Sequence, residues 1–215
     1  MTTLALGIDS GSSRSGFAVV RLDPDGWLHI DHGVHLDNGA DAVRWLVTNT
    51  IQRLGVIAME QLVGFAYEAK RVQALIETAR FEGQMLELVR ILKGRLIPIA
   101  ARDVRGELCR SPTASDEQIR IVIEAITKTR PALTEETRPH VYDAAASAIV
   151  AIQRSLGRPL QLPAGVEQRL HLQRETERSK RAAKRPAGAP AEKRIPTRAQ
   201  TKRRSEAAAK AARRS

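Results

Sequence analysis

The apolar positions of the chain fall into short blocks whose period changes from block to block. Thr3 to Ile8 is a compact apolar run that delivers Asp9 at its end, and Ser10-Gly11-Ser12-Ser13 follows with turn chemistry. Gly16 to Leu22 predicts a second strand. Asp23-Pro24-Asp25-Gly26 is a strong turn signal, so Trp27 to Gly33 reads as the third strand of a meander. The period then lengthens. Ala40, Val43, Leu46, Val47, Thr50, Ile51 and Leu54 share one helical face, and Gly55 breaks the pattern. Val56 to Met59 predicts a buried strand with Glu60 at its end. Ala66 to Leu92 reads as a long helix and Arg95 to Ile99 as a fifth strand. Two short helices follow, Ala101 to Leu108 and Asp116 to Lys128. Ser115 and Gln118 form a capping box at the start of the second. Pro139 opens a last helix, His140 to Leu156, which Gly157 ends. A meander joined to strands reached through helices predicts an α/β fold with a mixed five-stranded sheet.

Beyond Gly157 the pattern decays. Pro159 and Pro163 interrupt it, and from Leu170 onward Ile195 is almost the only large apolar residue. Such a segment buries too little surface to offset its ordering entropy. The expected organisation is a folded domain over 1–158 and a disordered basic tail over 159–215. Charge sharpens the division. Of 35 Lys and Arg, 16 lie between Gln168 and Ser215 beside only 4 Glu, a net of +12 against +11 for the whole chain. The folded part is therefore close to neutral.

Composition excludes several classes. No apolar run approaches the ~20 residues that a membrane helix needs, and the opening MTTLALGIDS lacks the basic start of a signal peptide. The single cysteine, Cys109, can form neither an internal disulfide nor a zinc site by itself. A cytoplasmic protein without membrane partners is expected.

Three carboxylates stand out by position. Asp9 and Glu60 each terminate an apolar strand, and Asp143 is placed in the first turn of a helix otherwise built of Ala, Ile and Val. A charge at such a border costs several kcal/mol unless compensated. Taken singly each has an ordinary explanation: an Asx turn at Asp9, an ion pair at Glu60, a helix-dipole acid at Asp143. Taken together they suit a hard divalent cation, Mg²⁺ or Mn²⁺. Two such ions would support phosphodiester hydrolysis. His140 lies three residues before Asp143, on the same helical face, where a fourth ligand or a proton donor would sit.

These residues resemble a known family. Leu6-Gly7-Ile8-Asp9-Ser10-Gly11-Ser12-Ser13-Arg14-Ser15-Gly16-Phe17 is similar to the opening strand–turn–strand of RuvC-type Holliday-junction resolvases, of the RNase H-like superfamily. Ile57-Ala58-Met59-Glu60-Gln61 resembles their second acidic motif, and His140-Val141-Tyr142-Asp143-Ala144-Ala145 their last. The resemblance runs in order from about Leu4 to about Leu156. It implies an RNase H-like fold and a homodimer that binds four-way DNA junctions and nicks them symmetrically. It gives Asp9, Glu60, His140 and Asp143 the metal-ligand and catalytic roles, with two Mg²⁺ or Mn²⁺ per site. It also places Arg105 near the scissile phosphate, where a positive charge would stabilise the transition state. The second lysine that family members often carry before the helix near Asp116 is missing here, so by the resemblance either Arg110 substitutes from the loop or that contact is absent. Phe65 and Tyr67 are the candidates for a wedge between bases at the junction centre. Arg14, Lys70 and Arg71 complete the expected DNA contacts on the domain.

The tail would add affinity without reading sequence, by counterion release, with Lys180, Arg181, Lys184, Arg185, Lys202, Arg203 and Arg204 in its densest clusters. A nucleoid-associated enzyme is the resulting expectation. Three other readings compete. A RuvX-like nuclease acting on RNA would share fold and site. An actin-like or sugar-kinase ATPase would use Gly7 to Ser13 as a phosphate hairpin but needs two such domains. A non-catalytic DNA-binding protein would use Ala101–Leu108 and Asp116–Lys128 as a helix pair, reading bases through Gln118 and Arg120.

Overall fold

The computed structural model describes residues 3–53, 56–61, 69–157, 159 and 161–183. Six strands, β1 (Thr3–Asp9), β2 (Arg14–Leu22), β3 (Leu28–Asp37), β4 (Val56–Gln61), β5 (Leu96–Ala100) and β6 (Thr127–Thr129), form one sheet in the order β5-β4-β1-β2-β3-β6. β1, β2 and β3 are the expected antiparallel meander, whereas β4 pairs β1, β5 pairs β4, and β6 pairs β3 in parallel. The helices are α1 (Ala40–Arg53), α2 (Ala69–Ile91), α3 (Ala101–Cys109), α4 (Asp116–Ile126), α5 (Arg138–Leu156) and α6 (Val166–Ala183).

Strand alternation divides the core into two layers. Leu6, Ile8, Phe17, Val19, Ile57 and Met59 face one way and pack with Ala42 and Leu46 of α1 and Phe81, Met85 and Val89 of α2. Ala5, Ala18, Val20, Ala58 and Ile99 face the other way, toward α3, α4 and α5. That second face includes Ala5, Ala18 and Ala58, and α5, rich in alanine, is buried from Ala144 to Gln153. Three glycines on successive strands deepen the contact. A Cβ added at Gly7 would lie 1.7 Å from the Ala144 carbonyl oxygen, one at Gly16 2.3 Å from that of His140, and one at Gly33 2.3 Å from Val141 Cγ1. The helix therefore seats against bare backbone, and its N-terminal half is fixed over the ends of β1 and β2.

The structure corrects five expectations. The sheet has six strands, because Thr127–Thr129 leaves the expected α4 to pair with β3, and His29 Nδ1 meets Thr129 Oγ1 at 2.8 Å. β3 runs on to Asp37, four residues past Gly33. Asp143 is the sixth residue of α5, since that helix begins at Arg138, so it lies in the second turn. The chain from 159 onward is not a uniform tail. α6 occupies 166–183, Val166 and Leu170 are buried in the core, and the Arg174 guanidinium donates to the Cys109 carbonyl at the end of α3. The compact unit accordingly runs to Arg174, and Glu175 to Ser215 form a second unit. Finally, α4 buries Gln118, which is therefore not available to read bases, and pairs Arg120 with Glu117 and Glu124. No described helix is long and apolar enough to cross a membrane.

Candidate active site

The parallel register sets Ile8 beside Met59, so Asp9 and Glu60 end two neighbouring strands. Adjacent strands lie about 4.8 Å apart, which brings both carboxylates to one edge of the sheet. α5 crosses that edge over Gly16 and supplies His140 and Asp143. His140 Nδ1 lies 3.2 Å from Asp9 Oδ2. The turn behind Asp9 is tied down by its own polar groups. Gly11 N–H donates to Ser15 Oγ at 3.2 Å, Ser15 Oγ to Asn38 Oδ1 at 2.6 Å, and Asn38 Nδ2 to the Gly11 carbonyl at 2.8 Å. The Gly11 N–H is therefore already engaged within the turn.

Electrostatics ties the carboxylates together. Glu60 is pushed up from its ordinary 4.5 to about 8, first by burial, then by the negative charges of Asp9 and Asp143 and by Glu82 of α2; Arg105 works against this. Asp143 is pushed from 3.8 to about 7, by burial and then by Asp9 and Asp116, with Arg105 and His140 opposing. The His140 imidazole is raised above its ordinary value, chiefly by its contact with Asp9. The charge of Asp9 acts on Glu60, His140 and Asp143 alike, so the four side chains form one electrostatic cluster that is short of positive charge.

That shortage is the first part of the test for a divalent cation. The donors are hard carboxylate oxygens with one imidazole, a set suited to Mg²⁺ or Mn²⁺. The second part is spacing. Two donors about 2.1 Å from one ion at right angles are about 3 Å apart, and Asp9 Oδ2 and His140 Nδ1 are 3.2 Å apart. Among the described residues no three acidic, histidine or cysteine side chains converge closely enough to ligate one ion as they stand. Mutual repulsion of bare carboxylates opposes such convergence, and a bound cation would relieve it. The residues fit the ion in chemistry and in the Asp9–His140 pair.

The basic residues separate into groups. Arg105 belongs to the cluster. Burial works against its charge, but a 2.8 Å hydrogen bond to Asp116 and the fields of Asp143, Asp116 and Glu60 raise its pKa. Arg14 lies at the start of β2 and is held by Asp37 at 3.1 Å, Glu136 at 3.2 Å and the His35 carbonyl at 3.2 Å. Arg110 does not join them. It caps α3 in a left-handed conformation and lines a cavity with Gln153, Arg154 and Gly157. Gln153 is ten residues beyond Asp143, about 15 Å along α5. Lys70 and Arg71 begin α2, and Lys180 is exposed on α6, which also contains Arg181. Phe65, Tyr67, Lys184, Arg185, Lys202, Arg203 and Arg204 lie outside the described residues.

Sequence reasoning missed Glu82, Asp116 and His35. Glu82 interrupts the buried stripe of Thr78, Phe81, Met85 and Val89 on α2, a signal that was present in the pattern. His35 stacks on His140, which no spacing reveals.

No family model matches the chain, and no curated protein is significantly similar to it in sequence. Solved structures are similar in fold. The Thermus thermophilus RuvC structure is 19% identical with a TM-score of 0.57, covering 75% of this chain and 100% of that one. T. thermophilus RuvC in complex with Holliday junction substrate is 17% identical with a TM-score of 0.55, covering 73% of this chain and 97% of that one. The chain has the RuvC fold, an α/β mixed sheet with helices on both faces.

Proposed function

We propose that this chain is a divalent-metal-dependent endonuclease that hydrolyses DNA phosphodiesters at four-way junctions, by paired symmetric nicks from a homodimer. The observation that carries the reading is the coupled cluster of Asp9, Glu60, His140 and Asp143 at one sheet edge of a RuvC fold. Asp9, Glu60, His140 and Asp143 would hold the ions. When bound, two Mg²⁺ or Mn²⁺ supply activation of the attacking water and charge stabilisation of the leaving oxygen. The protein's own groups prepare for this. Burial and neighbouring negative charge push the Glu60 and Asp143 carboxyls up to about 8 and about 7, so both would give up protons on holding a cation. His140, hydrogen-bonded to Asp9, restrains that carboxylate. Arg105 carries a fixed positive charge beside Asp143 and Glu60, where a phosphate could exchange for Asp116.

Other features support the partners. α2 exposes Val72, Ile76 and Leu86, spaced 4 and 10 residues apart along one side, an apolar strip suited to a second copy of the chain. The excess of basic residues after Gln168 suits a DNA backbone. A cytoplasmic, nucleoid-associated location goes with this reading.

The test is incubation of the full chain with labelled four-way junction, linear duplex, single-stranded DNA and RNA, in Mg²⁺, Mn²⁺ or EDTA, beside Asp9→Asn. Symmetric nicking of the junction alone, dependent on metal and absent in Asp9→Asn, is expected. Cleavage of RNA in preference to the junction would move the assignment to a RuvX-like nuclease. Binding without cleavage in either metal would refute the enzymatic reading.

A further inference from the structure

We propose that His35 is a positioning residue for this site: its ring, stacked on that of His140, holds His140 in the plane that turns Nδ1 toward Asp9. The inference rests on the reading of Asp9 and His140 as metal donors. The two imidazoles lie 4.0 Å apart between centroids and are inclined by only 20°. His140 needs such a wall. It sits in the first turn of α5 with nearly half of its side chain exposed, and its recorded hydrogen bond is the one to Asp9. An imidazole held by one hydrogen bond is free to rock about its last torsion, whose wells are broad. A flat ring against its face removes that freedom.

The sequence brings the two rings together through a third residue. In the β2–β3 register His35 pairs with Gly16. Gly16 has no side chain, and the His140 backbone oxygen occupies the space a Cβ would need, 2.3 Å away. The first turn of α5 thus descends onto the sheet at this point, and His140 meets the neighbouring strand at His35. The backbone of His35 is anchored, since its carbonyl accepts from Arg14 Nη2 at 3.2 Å. Its ring acts through its face: His35 Nδ1 is buried with no hydrogen-bond partner among the described residues. A carbocyclic ring should therefore do the same work.

This gives a test that separates stacking from polar chemistry and from folding. Mn²⁺ alone is titrated by calorimetry into the full-length protein, His35→Ala and His35→Phe, with thermal melts of each. The His140 ring protons, assigned by their loss in His140→Gln, are followed by NMR. Supporting groups around a metal ligand typically change affinity 10- to 100-fold. His35→Ala should weaken Mn²⁺ binding about tenfold, and His35→Phe should restore it to within about twofold. The His140 protons should lose their upfield ring-current shift in His35→Ala and keep it in His35→Phe. Unchanged Mn²⁺ affinity or unchanged His140 signals in His35→Ala would overturn the proposal, as would a His35→Phe no better than His35→Ala. If the unmodified protein binds no Mn²⁺, the metal reading fails, and the ring-proton shifts alone decide whether His35 positions His140.

Discussion

Replacing Glu60 by Gln should make the metal-free protein more stable at neutral pH while removing a metal donor. Glu60 titrates near its ordinary 4.5 when unfolded and at about 8 when folded. A carboxyl whose folded pKa is raised binds its proton more tightly in the native state. Its contribution is thus fully present below pH 4.5 and is lost as pH rises toward 8. Between about pH 5.5 and about pH 7.5 the linkage relation gives a loss on the order of 2.5 kcal/mol. For a domain of this size, 1 kcal/mol shifts Tm by roughly 2–4 °C, so the loss is roughly 5–10 °C. Glutamine carries no charge and forgoes this loss. Asp143, pushed to about 7, also titrates in this window but is present in both proteins. The assay is thermal melting of wild type and Glu60→Gln at both pH values in EDTA, then with millimolar Mg²⁺ or Mn²⁺ at the higher pH. Without metal, the wild type should fall behind Glu60→Gln as pH rises. With metal, the wild type should recover and Glu60→Gln should gain little. Parallel pH dependence of the two proteins in EDTA would refute the argument that burial and neighbouring carboxylates strain Glu60.

Gly7→Ala should destabilise by about 3 kcal/mol in urea unfolding, because the new methyl collides with a helix carbonyl that cannot move alone; Gly106→Ala, in open space on α3, should instead be neutral or gain up to about 1 kcal/mol. Truncation after Ala183 should weaken DNA binding and flatten its salt dependence, by roughly 0.9 in log–log slope per lost phosphate contact, with turnover at saturating DNA unchanged. Truncation before Val166 should also lower Tm, since it removes Val166, Leu170 and Arg174 from the core and the α3 cap. Ile76→Glu on the exposed strip of α2 should shift the protein to monomer in sedimentation, and an unshifted dimer would place the interface elsewhere.

The elements legible in the sequence were those whose pattern is their own. Asp9 and Glu60 could be found because each is a charge that closes an apolar run, and the helix spacing of His140 and Asp143 survived intact. What escaped was made by distant partners. Thr127-Lys128-Thr129 is too short to show a period and is a strand because β3 lies beside it. The last part of β3, Val34-His35-Leu36-Asp37, does alternate apolar and polar residues, with Val34 and Leu36 packed on the core, so that signal was present beyond Gly33. α6 is an Arg- and Glu-rich helix whose apolar anchors are Val166 and Leu170, so its composition reads as tail. Arg110, at the C-cap of the helix that carries Arg105, lines a cavity with Gln153, Arg154 and Gly157, a setting its place in the chain does not reveal.

The glycines under α5 have a consequence for how the site can vary. Gly7 and Gly16 let helix carbonyls rest on strand backbone, so the gap between the carboxylates of the sheet and the donors of the helix is gauged by main chain alone. Main-chain dimensions do not change with sequence. The outer layer of Leu, Ile, Val, Phe and Met could be repacked by volume-conserving swaps, each tolerable for about 1.5 kcal/mol or less, without altering that gauge. The fold can thus drift widely in composition while Asp9, Glu60, His140 and Asp143 keep their separation, so long as Gly7 and Gly16 are not allowed to grow.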